Sequence, residues 1–137
     1  MILLDTNALI WLGNDDPQLG AGARKTIQTE VGSRGVTISA ISFWEIGLLI
    51  EKSRVALPLP LADFAVFVTV AIGIRVVPVN SKVAVESGNL PPGLHGDPGD
   101  RLIAATARVF ACPLLTSDGK LLRYGTAGHL QAIDARL

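Results

Sequence analysis

Four acids, Asp5, Glu45, Asp100 and Asp118, stand at places where solvation alone does not explain a carboxylate. Asp5 ends the apolar run Ile2-Leu3-Leu4 and is followed by Thr6-Asn7. Asp118 ends LLTS in the same way, behind Thr116 and Ser117. If both runs are buried strands, both acids lie beyond strand carboxyl ends, where open parallel α/β sheets bind their ligands. Carboxylates gathered at one such place repel one another and raise some of their pKa values. Hard divalent cations with a preference for oxygen relieve that repulsion. Each aspartate also has a plainer reading, as a helix N-cap.

The stretch HGDPGDRLIAATA (95–107) sharpens the choice. Asp97-Pro98 suits an N-cap followed by the first helical position. Asp100 then projects from the first turn, where the helix dipole eases its ionisation. Behind it Ile103, Ala107 and Phe110 mark a buried face, and Ala104 and Ala105 permit close approach to a sheet. In ISFWEIGLLIEKSR (41–54), Ser42 and Glu45 match the S-x-x-E capping box. If Ser39 caps instead, Glu45 lies past the first turn of an apolar helix, and a buried carboxylate there needs a metal or a basic side chain as partner.

The elements that would position these residues alternate. Strands are expected at 2–4, 36–39, 74–79, 113–117 and 130–134. Helices are expected at 6–13, 21–31, 41–54, 61–73, 81–89, 101–110 and 118–125. The strand runs are short, apolar and without period-two alternation, which argues for a parallel sheet covered by helices on both faces. The helix at 41–54 is expected to carry Ile41, Trp44, Leu48 and Leu49 on one side, and Trp11 and Trp44 are expected in the core.

A chain of 137 residues fits one domain, 1–137. Twelve basic and twelve acidic residues cancel. Set the four acids aside and twelve basic face eight acidic residues, so a neutral chain can carry a basic rim around an acidic hole. The longest uncharged apolar run, residues 64–74, is short of a membrane span. The N-terminus has no basic start, so no secretory signal is expected. The single Cys112 reads as a buried thiol in a reducing cytoplasm. With charged residues at 18% and the apolar set at 49%, a partner or a self-interface is a further expectation.

Together the motifs hhhhD-T-N, S-x-x-S-x-W-E-I, D-R-x-I-A-A-T-A and L-L-T-S-D, in this order and with their acids 40, 55 and 18 residues apart, resemble the PIN-domain ribonucleases of the VapC type, the toxins of bacterial toxin–antitoxin pairs. The resemblance runs from Ile2 to about Ile133. It implies a three-layer α/β/α sandwich with a central parallel sheet, an antitoxin partner, a homodimer, and catalytic acids at Asp5, Glu45, Asp100 and Asp118. It matches the supporting Asn7 and a hydroxyl at Thr116 or Ser117, and the form H-x-D-P-x-D-R leaves Asp97 either a cap or a member of the acidic site.

The chemistry expected on this basis is hydrolysis of an RNA phosphodiester with Mg²⁺, or Mn²⁺ in its place. Asp5 and Asp100 would be primary ligands, Glu45 a ligand or water-orienting base, and Asp118 a second-ion or water-mediated ligand. Thr6, Thr116 and Ser117 would orient these groups. His95 reads as a loop residue at the site edge, His129 as surface, and Arg101 as a partner for a carboxylate or a phosphate. Lys120 and Arg123 read as a solvated helix face, with substrate contact as the alternative. A non-catalytic PIN-like module binding RNA or protein is the rival reading. An aspartyl-nucleophile phosphatase is disfavoured because Asn7 stands where its second acid belongs, and a receiver domain because only Asp63 lies near its phosphoacceptor position.

Overall fold

The computed structural model describes residues 1–137. Five strands, β1 (Ile2–Leu4), β2 (Val36–Ser39), β3 (Arg75–Val77), β4 (Leu114–Thr116) and β5 (Ala132–Asp134), form one sheet in the order β3-β2-β1-β4-β5. Every pairing is parallel. From β1 the chain builds outward through β2 and β3 on one side and later through β4 and β5 on the other. The crevice between the ends of β1 and β4 is therefore the topological switch point, the place where such sheets hold ligands.

Seven helices cover the sheet: α1 (Thr6–Gly13), α2 (Ala21–Val31), α3 (Ile41–Glu51), α4 (Leu61–Val66), α5 (Ser81–Gly88), α6 (Pro98–Val109) and α7 (Gly119–Thr126). The strand pleat divides the core. Ile2, Leu4, Val36, Ile38 and Leu115 pack with side chains of α1 to α4. Leu3 and Leu114 turn to the opposite face, against α5, α6 and α7. The central strands β1 and β4 thus bury apolar side chains on both sides, which is why they show no alternation in the sequence.

Three expectations need correction. The helix over 61–73 is α4 only to Val66, followed by a wider π-helical turn at Phe67–Ala71. Within that turn the Thr69 hydroxyl donates to the Ala65 carbonyl at 2.8 Å. On α3 the buried residues are Ser42 and Ile46, whereas Trp44 is 55% exposed and lies outside the core. The helix is rolled so that Ser42 meets Thr6 of α1, which carries Trp44 to the surface. Phe110 is also exposed, because α6 ends there and Ala111 turns the chain with φ 49°. Cys112 is buried and free, and no helix is long and apolar enough to cross a membrane.

Candidate active site

The register of β1 against β4 sets the first contact. Leu4 pairs with Leu115, and the Asp5 N–H donates to the Leu115 carbonyl at 3.0 Å. Asp5 is thereby buried beside Thr116, whose hydroxyl donates to Asp5 Oδ2. The other oxygen, Oδ1, accepts from the Ala8 N–H at 2.8 Å and caps α1. The plainer and the functional readings of Asp5 therefore coexist, since one oxygen caps a helix while the carboxyl faces the crevice. Burial, opposed by the bonds from Thr116 and Ala8 and reinforced by the charge of Asp118, pushes the Asp5 carboxyl up to about 6.

Asp118 behaves alike at the end of β4. Its Oδ1 accepts from the backbone of Lys120 at 2.7 Å and Leu121 at 3.3 Å, and its own N–H donates to Thr116 Oγ1 at 3.0 Å. Thr116 is thus the hinge pin between two acids from neighbouring strands. Ser117 acts through its backbone on Asp5, and its hydroxyl makes no bond to the acids.

Glu45 does not serve a capping box. Ser39 Oγ accepts from the Ile41 N–H at 3.2 Å at the start of α3, and Ser42 is buried against Thr6. Glu45 instead points back across α1, where the Thr6 hydroxyl donates to Oε1 at 2.6 Å. Burial raises its pKa, the Thr6 bond opposes this, and the charges of Asp97 and Asp5 add to it.

Asp97 caps α6, with Oδ1 accepting from Gly99 at 2.8 Å and Asp100 at 3.4 Å, and Pro98 opens the helix. Cap and cluster member are again not exclusive. Glu45, Asp97 and Asp100 each offer a carboxylate oxygen, all within 4.8 Å of one another. This trio is tighter than the expected ligand set of Asp5, Asp100 and Asp118. Burial first, then the charges of Asp118, Asp97 and Glu45, push Asp100 up to about 7, with Lys120 pulling the other way.

The cleft between these groups holds about 220 Å³ and is lined by Asp5, Thr6, Asn7, Glu45, Asp97, Asp100, Asp118 and Lys120 over a floor of Leu49 and Ile103. Four acids from four different elements converge, together with Asp97. The donor set is all oxygen and anionic, and its excess of charge is left for a hard cation to neutralise.

Some expected neighbours sit elsewhere. The Arg101 guanidinium spans the Leu94 carbonyl at 2.7 Å and the Ser87 carbonyl at 2.8 Å, so it ties down the loop before α6 and meets no carboxylate. His95 is exposed in that loop and lines a separate hollow, and His129 packs at a tilt against Tyr124. One residue escaped the sequence reading. A Cβ on Gly99 would lie 2.3 Å from Glu45 Oε2, so the bare backbone at 99 is what admits the Glu45 carboxylate to the start of α6. The available signal was a glycine between Pro98 and Asp100 in a first helical turn, where glycine is a poor helix former.

Residues 2–127 match the PIN domain family. Ribonuclease VapC22 of Mycobacterium tuberculosis is 31% identical over 120 residues, covering 88% of each chain. Two solved structures share the fold. The VapBC2 structure from Rickettsia felis, bound to a DNA fragment from its promoter, has 18% identity and a TM-score of 0.69 over 97% of this chain and 98% of that one. A toxin–antitoxin complex from Klebsiella pneumoniae has 19% identity and a TM-score of 0.63 over 98% of both. With its sheet order, its acidic switch point and a ribonuclease relative across most of its length, the chain belongs to the PIN-domain family, among the ribonucleases of the VapC type.

Proposed function

We propose that this chain is a divalent-metal-dependent endoribonuclease that hydrolyses RNA phosphodiesters as the toxin of a toxin–antitoxin pair, with residues 1–137 acting as one nuclease domain. The observation that carries the reading is the convergence of Asp5, Glu45, Asp100 and Asp118 at the switch point, with carboxylate oxygens of Glu45, Asp97 and Asp100 within 4.8 Å of one another.

Asp100, Glu45 and Asp97 would hold the ion, with Asp5 and Asp118 closing the inner side of the cleft. A bound Mg²⁺ or Mn²⁺ supplies positive charge against the phosphate and makes its phosphorus more electrophilic. Thr6 occupies Glu45 Oε1 and so aims Oε2 into the cleft, either as a ligand beside Asp97 and Asp100 or as the base that orients the attacking water and accepts its proton. Lys120, at the cleft edge, offers a cation to the phosphate as one bridging P–O bond breaks. Leu49 and Ile103 exclude bulk water from the floor.

An antitoxin partner and a homodimer in the cytoplasm complete the proposal. Its support is the exposed apolar surface of α3 and the α4 region, with Trp44 at 55%, Val66 at 59% and Val70 at 77% exposure. Cleavage of structured RNAs by the purified protein with and without Mg²⁺ or Mn²⁺, beside an Asp5→Asn control, is the test. Metal-independent cleavage, or equal cleavage by the control, would remove the assignment.

A further inference from the structure

Beside the acidic cleft lies a second hollow of about 540 Å³, and its lining includes His95, Lys120, Arg123, Tyr124 and His129 but no acid. Lys120 lines both spaces, so one side chain borders the two. Neither Lys120 nor Arg123 uses its side chain in an ion pair or hydrogen bond, although carboxylates lie on the other side of Lys120. The hollow is also built rather than incidental. Tyr124 donates its hydroxyl to the Pro91 carbonyl at 2.6 Å, which ties the loop carrying His95 to α7. Its ring packs against His129, tilted by 43° at a centroid distance of 4.6 Å. Gly119 has no side chain, and a Cβ there would lie 3.1 Å from Arg123 Nη1, so the guanidinium lies back over the first turn of α7.

We infer that this hollow seats the backbone phosphate next to the scissile one, so that an RNA strand lies across the seam with Lys120 between the two phosphates and Arg123 and His95 holding the outer one. The inference rests on the ribonuclease reading for the identity of the strand. Its physical ground is separate: unpaired cations in a concave wall, free of acids and sharing Lys120 with the acidic cleft. A protein of zero net charge has no general attraction for RNA, so a local basic seat is needed to hold the strand against a carboxylate cluster. Arg123 suits the task because a guanidinium can present a fork of donors to a phosphate.

The test is binding of a labelled single-stranded RNA in an Asp100→Asn background with Mg²⁺, followed by fluorescence anisotropy from about 50 to 200 mM salt. Arg123→Gln should weaken binding about tenfold and make the slope of log K against log salt shallower by about 0.7, the value for one lost phosphate contact on a single strand. Lys25→Gln, an exposed cation on α2, should leave both unchanged. An unmoved slope in Arg123→Gln, or an equal change in Lys25→Gln, would overturn the seat. So would poly-glutamate that displaces the RNA as well as unlabelled RNA does, since the hollow would then be a general anion site. Wild-type protein that cleaves RNA with Mg²⁺ while the Arg123→Gln slope stays put sinks the seat alone. A shifted slope without any cleavage sinks the nuclease reading and leaves the seat standing.

Discussion

Thr6 and Glu45, 39 residues apart in sequence, are joined by a 2.6 Å hydrogen bond that ties the turn after β1 to the second turn of α3. It is the only hydrogen bond to the Glu45 carboxylate, so the aim of that acid depends on one hydroxyl. Thr6→Val keeps the shape and removes the donor. Loss of a group that orients a metal ligand costs about 10–100-fold in affinity or activity. Metal-dependent cleavage should fall within that range, with stability lowered by about 1–3 kcal/mol because the buried Ser42 hydroxyl loses its partner. Unchanged kcat with Mg²⁺ would show that Glu45 is aimed by something else.

Gly99 constrains the same carboxylate from the other side. In Gly99→Ala the new Cβ falls 2.3 Å from Glu45 Oε2, and the Glu45 side chain must swing away because the helix backbone is the stiffer partner. Cleavage should drop several-fold, on the order of 3–10-fold, in a protein whose helix content and cooperativity of unfolding are retained. The double variant Gly99→Ala with Glu45→Asp, which shortens the acid, should recover part of the loss. A double variant worse than both singles would refute the steric account.

Without metal the site opposes folding at neutral pH. Asp5 and Asp100 ionise at about 6 and about 7 when folded, above their ordinary value near 3.8. The folded chain therefore binds more protons than the unfolded one between these values, and stability falls as pH rises from about 4 toward 7. Asp100→Asn removes one of these charges. Discounted for its partial exposure, the gain is about 1–2 kcal/mol at pH 8 in EDTA. Urea unfolding at pH 4 and pH 8 checks it, and a marked loss of stability in Asp100→Asn at pH 8 would mean that its carboxylate does structural work.

The same protons compete with the ion. Asp5 and Asp100 must release theirs as a cation binds, so apparent Mn²⁺ affinity should rise steeply between about pH 5 and pH 8 and flatten above. Calorimetry in two buffers of different ionisation enthalpy should report proton release on binding near pH 6.5. Affinity independent of pH across this window would place the ion away from these acids.

Stability of the scaffold rests on a different contact. Phe64 is fully buried, and its ring fills the space above Gly13, where a Cβ would lie 2.3 Å from the ring edge. Phe64→Ala leaves a cavity between α1 and α4 and should cost about 3–5 kcal/mol. The acidic cleft uses only the far end of α1, at Thr6 and Asn7, and nothing of α4, so Mn²⁺ binding by the folded fraction should persist; its loss would show that the α1–α4 packing reaches into the site.

Local rules made most elements legible. Apolar triplets punctuated by Asp, Pro and Gly marked the strands, and Asp97-Pro98 marked the start of α6. Where neighbours compete, local rules failed. The helix over 61–73 widened at Phe67–Ala71 although its apolar content supported a regular one, and the roll of α3 put Trp44 outside and Ser42 inside. Helical periodicity names the faces of a helix but does not say which face a buried hydrogen bond will claim.

What the sequence alone determined was the set of acids, their places at strand ends and helix starts, and the alternation that makes a parallel sheet, because strand burial and capping are read within a few residues. The tertiary structure decided which oxygens meet. It placed Asp97 with Glu45 and Asp100, turned Arg101 onto two carbonyls, and left Lys120 and Arg123 unpaired over a common hollow. Such distances depend on how helices far apart in the chain pack across the sheet, and only the packed core sets them.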